Sequence, residues 1–113
     1  MNIETRERTV RIRALNDAFR QTLVGGRVML TSGVADLPDE VRAAAIQMVV
    51  SFNQFTGAND PRSEHDFGSF ELPGRKFFWK IDYYDKRCAF GSEDPSDPKV
   101  TTRVLTLMLS SEY

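Results

Sequence analysis

With a single cysteine, Cys88, the chain can form neither an internal disulfide nor a cysteine-built zinc site. That scarcity points to a reducing, cytoplasmic setting. Histidine is equally rare, His65 being the only one. No run approaches the roughly 20 apolar residues of a membrane span. The opening Met1 to Arg6 carries an acid at Glu4 and leads into no apolar stretch, which argues against a secretory leader. The chain has no G-x-S-x-G elbow, P-loop, EF-hand spacing or internal repeat, so it lacks the common sequence signatures of hydrolase, nucleotide and calcium sites. It also lacks an excess of charge: 15 Lys and Arg stand against 16 Asp and Glu, for a net charge of −1. The arginines crowd the first third and the acids lie mainly between Asp60 and Asp97, so the protein is a dipole and not a polycation that would bind nucleic acid in bulk.

The 113 residues, 41% hydrophobic, suit one domain spanning 1–113. A domain of this size buries roughly two-thirds of its unfolded surface without needing a staple. From Thr5 to Val24, Ile12, Leu15, Phe19 and Leu23 recur at helical spacing, while Arg6, Arg8, Arg13, Asp17 and Arg20 fall largely elsewhere on the helix surface. Gly25 and Gly26 supply a helix stop, and Val28 to Thr31 reads as a short strand. Asp36 is placed to cap a second helix, which ends near Phe55. Its broad apolar face of Val41, Ala44, Ala45, Met48, Val49 and Phe52 predicts the more deeply buried of the two helices.

Thr56 to Ser63 is rich in turn residues and reads as a loop. The runs Phe67–Leu72 and Arg75–Tyr84 flank Pro73-Gly74 as a hairpin. Alternation puts Phe77, Trp79, Ile81 and Tyr83 on the core face of the second strand and Phe78, Lys80, Asp82 and Tyr84 on the other. A further short strand is expected around Arg87 to Phe90. Asp97-Pro98 opens a last segment that reads as a helix with Val100, Val104, Leu107 and Met108 on one side, although its Thr and Val content makes a strand a serious competitor. The assembled order predicts an α+β fold, a small antiparallel sheet of three or four strands with two or three helices packed mainly on one face.

The strings His65-Asp66-Phe67-Gly68-Ser69-Phe70, Phe78-Trp79-Lys80-Ile81-Asp82-Tyr83-Tyr84-Asp85 and Gly91-Ser92-Glu93-Asp94-Pro95 resemble a bacterial family catalogued as domain of unknown function three-seven-six-eight. The likeness extends from Arg11–Asp17 through Arg103–Thr106. The family looks like one common in alphaproteobacteria and carried by plasmids and other mobile elements. The resemblance thus implies an accessory or anti-defence role, against CRISPR or restriction systems, and carries over no catalytic residue.

Candidate site residues fall into three groups. His65, with Glu64 and Asp66 beside it, has the makings of a general acid or base tuned by carboxylates, but such a histidine more often closes a loop by hydrogen bonding. If Asp60, Glu64, Asp66, Asp82, Asp85, Glu93 and Asp94 converged they would suit Mg²⁺ or Mn²⁺ in a metal-assisted hydrolase acting on nucleic acid, yet a solvated acidic rim is the simpler reading, and no cofactor is implied. Arg6, Arg11 and Arg13, with Arg8 and Arg20, form a possible nucleic-acid stripe that Glu4 and Glu7 interrupt. The more informative feature is the sheet face bearing Phe67, Phe78, Lys80, Asp82 and Tyr84. Either the domain's own helices cover it, the slightly favoured case, or it binds another protein or a second copy of the chain.

Overall fold

The computed structural model of the protein describes residues 2–113. Helix α1, Ile3–Thr22, starts where the Asn2 side chain accepts a hydrogen bond from the Thr5 N–H at 2.7 Å. It stops at Leu23, which turns left-handed at φ 60° and returns its N–H to Phe19, so the helix ends before the glycines. Strand β1, Gly26–Leu30, follows, and then a single helical turn, α2, Ser32–Ala35. Asp36 closes this turn and does not open the next helix. Helix α3, Asp39–Val50, begins after Pro38, with Asp39 and Glu40 in its electropositive first turn, and ends earlier than Phe55.

Strands β2, Phe67–Leu72, and β3, Arg75–Tyr84, form the expected hairpin, with Gly74 at φ 79° in its turn. The expected strand at Arg87–Phe90 is absent. Asp85 instead organises a turn, its carboxylate accepting from the Arg87 and Ala89 N–H groups, and only an isolated bridge joins Tyr84 to Gly91.

The final segment is strand β4, Thr102–Leu109, and not a helix. Its β-branched residues and its inward alternation of Arg103, Leu105 and Leu107 outweigh the helical spacing of the same apolar residues. Asp97 serves a turn, accepting from the Lys99 N–H at 2.9 Å. Because β4 pairs antiparallel with β3 but parallel with β1, the sheet is mixed and runs β1-β4-β3-β2. A short 3₁₀ turn, Ser110–Glu112, ends the chain's regular structure.

One cluster joins the sheet to the helices. Phe19, Val34, Ala45, Val49 and Phe52 pack with Phe70, Phe77, Trp79, Ile81, Leu105 and Leu107. All of the sheet residues in that cluster lie on one face, so the helices share that side. Helix α1 sinks Ile12, Asn16, Phe19 and Arg20, while α3 buries Ala45 and Val49, half-buries Val41, Ile46 and Val50, and leaves Ala44 and Met48 of its expected apolar face exposed.

Candidate functional site

Two arrangements of functional side chains stand on opposite sides of β3. On the helix side lies a polar network. The inward stripe of α1 is interrupted at Asn16 and Arg20, both fully buried, and at half-buried Asp17. Asn16 is the hub. Its Oδ1 accepts from Arg103 Nε at 2.8 Å, and its Nδ2 donates to the Tyr83 hydroxyl at 2.8 Å and the Glu64 carbonyl at 2.9 Å. Tyr83 in turn donates to Glu64 Oε1 at 2.8 Å, and Arg103 also donates to the Pro95 carbonyl. Burial pushes the Tyr83 phenol upward and lowers Arg103.

Arg20 donates to Asp17 Oδ1 at 3.0 Å and to the Phe52 carbonyl at 3.1 Å, with its guanidinium over the Phe55 and Trp79 rings. His65 takes the left-handed conformation at φ 55°, held there by its N–H bond to Asp60 Oδ1. Its Nδ1 lies 2.8 Å from Asp17, its Nε2 lies 3.6 Å from Asp60, and its ring stacks on Phe55 at 3.7 Å.

The carboxylates at the histidine ring are therefore Asp17 and Asp60, not the flanking Glu64 and Asp66. Glu64 turns to Tyr83. Asp66 stands apart, its carboxyl raised by burial and by the nearby Glu64 charge. Both ring nitrogens are directed at carboxylates within the fold, an arrangement that fastens the loop before β2 onto α1. The remaining acids do not converge either. Asp82 pairs with Lys80, Asp85 serves its own turn, and Asp94 meets Arg8 and Ser96. Among the described residues no group of three or more His, Cys, Asp or Glu side chains is placed to hold a metal ion.

The basic stripe is partly occupied within the fold. Arg8 bonds Asp94 at 3.2 Å, Arg13 donates to the Ser63 carbonyl at 3.2 Å, and Arg20 is buried and not on the surface, while Arg6 and Arg11 remain exposed. A concavity of about 490 Å³ opens over the Asp85 turn, with Lys86, Phe90 and Lys99 in its wall, and neither His65 nor the sheet aromatics line it.

The other side of β3 is open. Among the described residues no helix covers Phe67, Phe78, Lys80, Asp82 and Tyr84, all half-buried, and the favoured expectation of helical cover is overturned because α1, α2 and α3 contribute Phe19, Val34, Ala45 and Val49 to the cluster on the opposite face. What lies on this face instead is Tyr113. Glu112 accepts from the Thr31 hydroxyl at 2.6 Å, the Leu109 N–H at 2.9 Å and the Gly33 N–H at 3.0 Å, contacts that lower its carboxyl. So anchored, it sets the Tyr113 ring 5.1 Å from Phe78 and 5.8 Å from Phe67, themselves 5.5 Å apart.

Lys76 stands over Phe78, and Lys80 bonds Asp82 at 2.9 Å, a bond that raises the Lys80 ammonium. Through the register, Val104, Thr106 and Met108 of β4 extend this face, with Arg27 and Met29 of β1 beyond them. These additions escaped the sequence reading because the last segment was expected to be a helix. The alternation of Thr and Val with Leu from Thr102 onward was the available signal.

Fold and site define a small α+β protein whose four-stranded mixed sheet is backed by helices on one side and presents an aromatic and charged face on the other. The chain belongs to the family described as protein of unknown function (DUF3768), whose profile matches residues 30–112. Arg11–Asp17, included in the likeness read from the sequence, lie outside the matched segment. No curated protein and no solved structure matches the chain significantly. No helix among the described residues is long and apolar enough to cross a membrane.

Proposed function

We propose that this chain is a protein-binding accessory factor that acts by surface occupation, using the open sheet face. The mobile-element setting that the resemblance implies suggests as its partner a component of a host defence or restriction complex. The observation that carries the reading is the cluster of half-buried Phe67 and Phe78 with exposed Tyr113, on a face that no helix covers among the described residues, bordered by Lys76, Lys80 and Asp82. Interfaces concentrate their energy in aromatic anchors of this kind and set charges at the rim to fix orientation. A partner suited to the face offers an apolar pocket to the rings and opposite charges to the Lys80–Asp82 pair.

The test is to measure capture of the defence component, and the efficiency with which a targeted plasmid transforms the host, for wild type and three folded variants. Phe78→Ala and Tyr84→Ala should each weaken capture by about 2 kcal/mol or more and lose the protection. His65→Ala should keep both. If His65→Ala alone silences the protection while the aromatic variants bind and function, the reading gives way to an enzymatic one.

A further inference from the structure

Strand β1 forms one side of the sheet, and its outer edge is bare. The Thr31 N–H donates to the Leu107 carbonyl at 3.1 Å, and Leu30 is the residue registered against Leu107. A parallel ladder engages alternate residues of a strand. Arg27, Met29 and Thr31 therefore turn their backbone groups to β4, while Gly26, Val28 and Leu30 turn theirs outward. Among the described residues none of these outward groups has a backbone partner. Gly26 to Met29 are exposed, whereas every residue of β2, the opposite edge, is at least half-buried except Glu71. Of the devices that blunt an edge, this strand has its shortness and the single charge of Arg27, but Gly-Arg-Val-Met-Leu carries no proline, bulge or inward charge, and among the described residues no element pairs with its outer side.

We propose that β1 pairs antiparallel with β1 of a second copy, across a two-fold axis at Val28, joining two four-stranded sheets into one of eight. An antiparallel two-fold can pass through a hydrogen-bonded or a non-hydrogen-bonded pair, and of the positions in Gly26–Leu30 only Val28 is the one about which the whole strand pairs. Gly26, Val28 and Leu30 then exchange two hydrogen bonds with each opposite residue. Side chains select the same register. Val28, 37% exposed and on the core side with Leu105, meets its own copy, and Met29, 53% exposed, lies opposite Arg27. The strand's one charge thereby avoids its own copy, which is the self-complementarity that a two-fold contact requires. So short an edge buries less than a standard interface, and the dimer dissociates on the order of tens of micromolar. The pairing is independent of the partner proposed above and would set two open faces side by side.

Sedimentation velocity of the full chain between about 1 and 300 µM tests it. Wild type should pass from monomer to dimer within this range. Val28→Pro removes only an outward N–H, leaving every bond to β4, and Val28→Lys sets two ammonium groups across the axis. Each should weaken association about tenfold or more with unchanged circular dichroism. Met29→Glu, facing Arg27 of the other copy, should tighten it. A chain that is monomeric at the highest concentration, a dimer that survives both Val28 variants, or weakening by Met29→Glu overturns the pairing.

Discussion

Replacing Trp79 with alanine tests the assignment of the two sheet faces. The indole is fully buried between Phe52 at 5.5 Å and Phe55 at 6.1 Å, with the Arg20 guanidinium 5.4 Å above it. Its edge rests on Gly68, where a Cβ would come within 2.4 Å of Nε1. That close approach leaves a methyl at Gly68 no room, and glycine has no side chain with which to fill the space the indole would leave. Buried Trp→Ala substitutions cost about 3–5 kcal/mol.

With an unfolding entropy of about 2.1 cal/mol/K per residue, the 113-residue chain changes Tm by about 4 °C per kcal/mol, a fall of roughly 13–21 °C for this variant. Trp79→Phe should fall well short of that, because Nε1 has no hydrogen-bond partner to lose. The assay is thermal unfolding followed by far-ultraviolet circular dichroism. A Trp79→Ala variant melting within about 4 °C of wild type, equivalent to roughly 1 kcal/mol, would refute the placement of this face in the core.

Substitutions at two further residues probe buried polar groups. Asp66→Asn should stabilise the protein at neutral pH. Burial raises the Asp66 carboxyl above its ordinary 3.8, so the folded state binds more protons than the unfolded one between these values. Stability therefore falls as pH rises through that interval, and in urea titrations at several pH values the gain from asparagine should vanish below it. Arg20→Ala should cost about 3–5 kcal/mol in urea unfolding, since it empties the stem's site and strips the buried Phe52 carbonyl of its donor. Arg20→Met, which keeps the stem, should cost clearly less.

The hairpin was legible because each local signal agrees. Pro73-Gly74 makes the turn, and strict alternation from Phe77 to Tyr83 names the buried face. β4 was ambiguous because Val104, Leu107 and Met108 fit the helical period while Arg103, Leu105 and Leu107 fit the strand period, and pairing with β3 and β1 on both sides decides between them. The mixed sheet followed from that decision and was hidden with it.

At the site, the open-face residues of the hairpin were readable from alternation alone. The histidine's partners were not, because Asp17 and Asp60 reach it from α1 and from the loop through tertiary contact, while sequence adjacency pointed to Glu64 and Asp66. A partial signal existed in α1, where Asn16 and Arg20 occupy positions that the period of Ile12 and Phe19 assigns to the core. A polar residue at a core position calls for partners elsewhere in the fold.

The two sides of β3 are coupled by the pleat. Trp79, Ile81 and Tyr83 point backward into the core and the polar network, and Phe78, Lys80, Asp82 and Tyr84 point forward from the same backbone. Fixing the first set therefore fixes the positions from which the second set projects. Asn16 ties Tyr83 and Arg103, on adjacent strands, to one helix, so the middle of the sheet cannot shift without breaking hydrogen bonds that are shielded from water. A face held in this manner loses little conformational freedom when it is covered, which favours binding through a few rigid aromatic anchors over binding through adaptable loops. The network requires α1, although the family profile begins at Leu30. Within the matched segment Glu64, His65, Tyr83 and Arg103 each depend on a partner at Asn16 or Asp17, so the unit that folds extends back beyond the unit that the profile recognises.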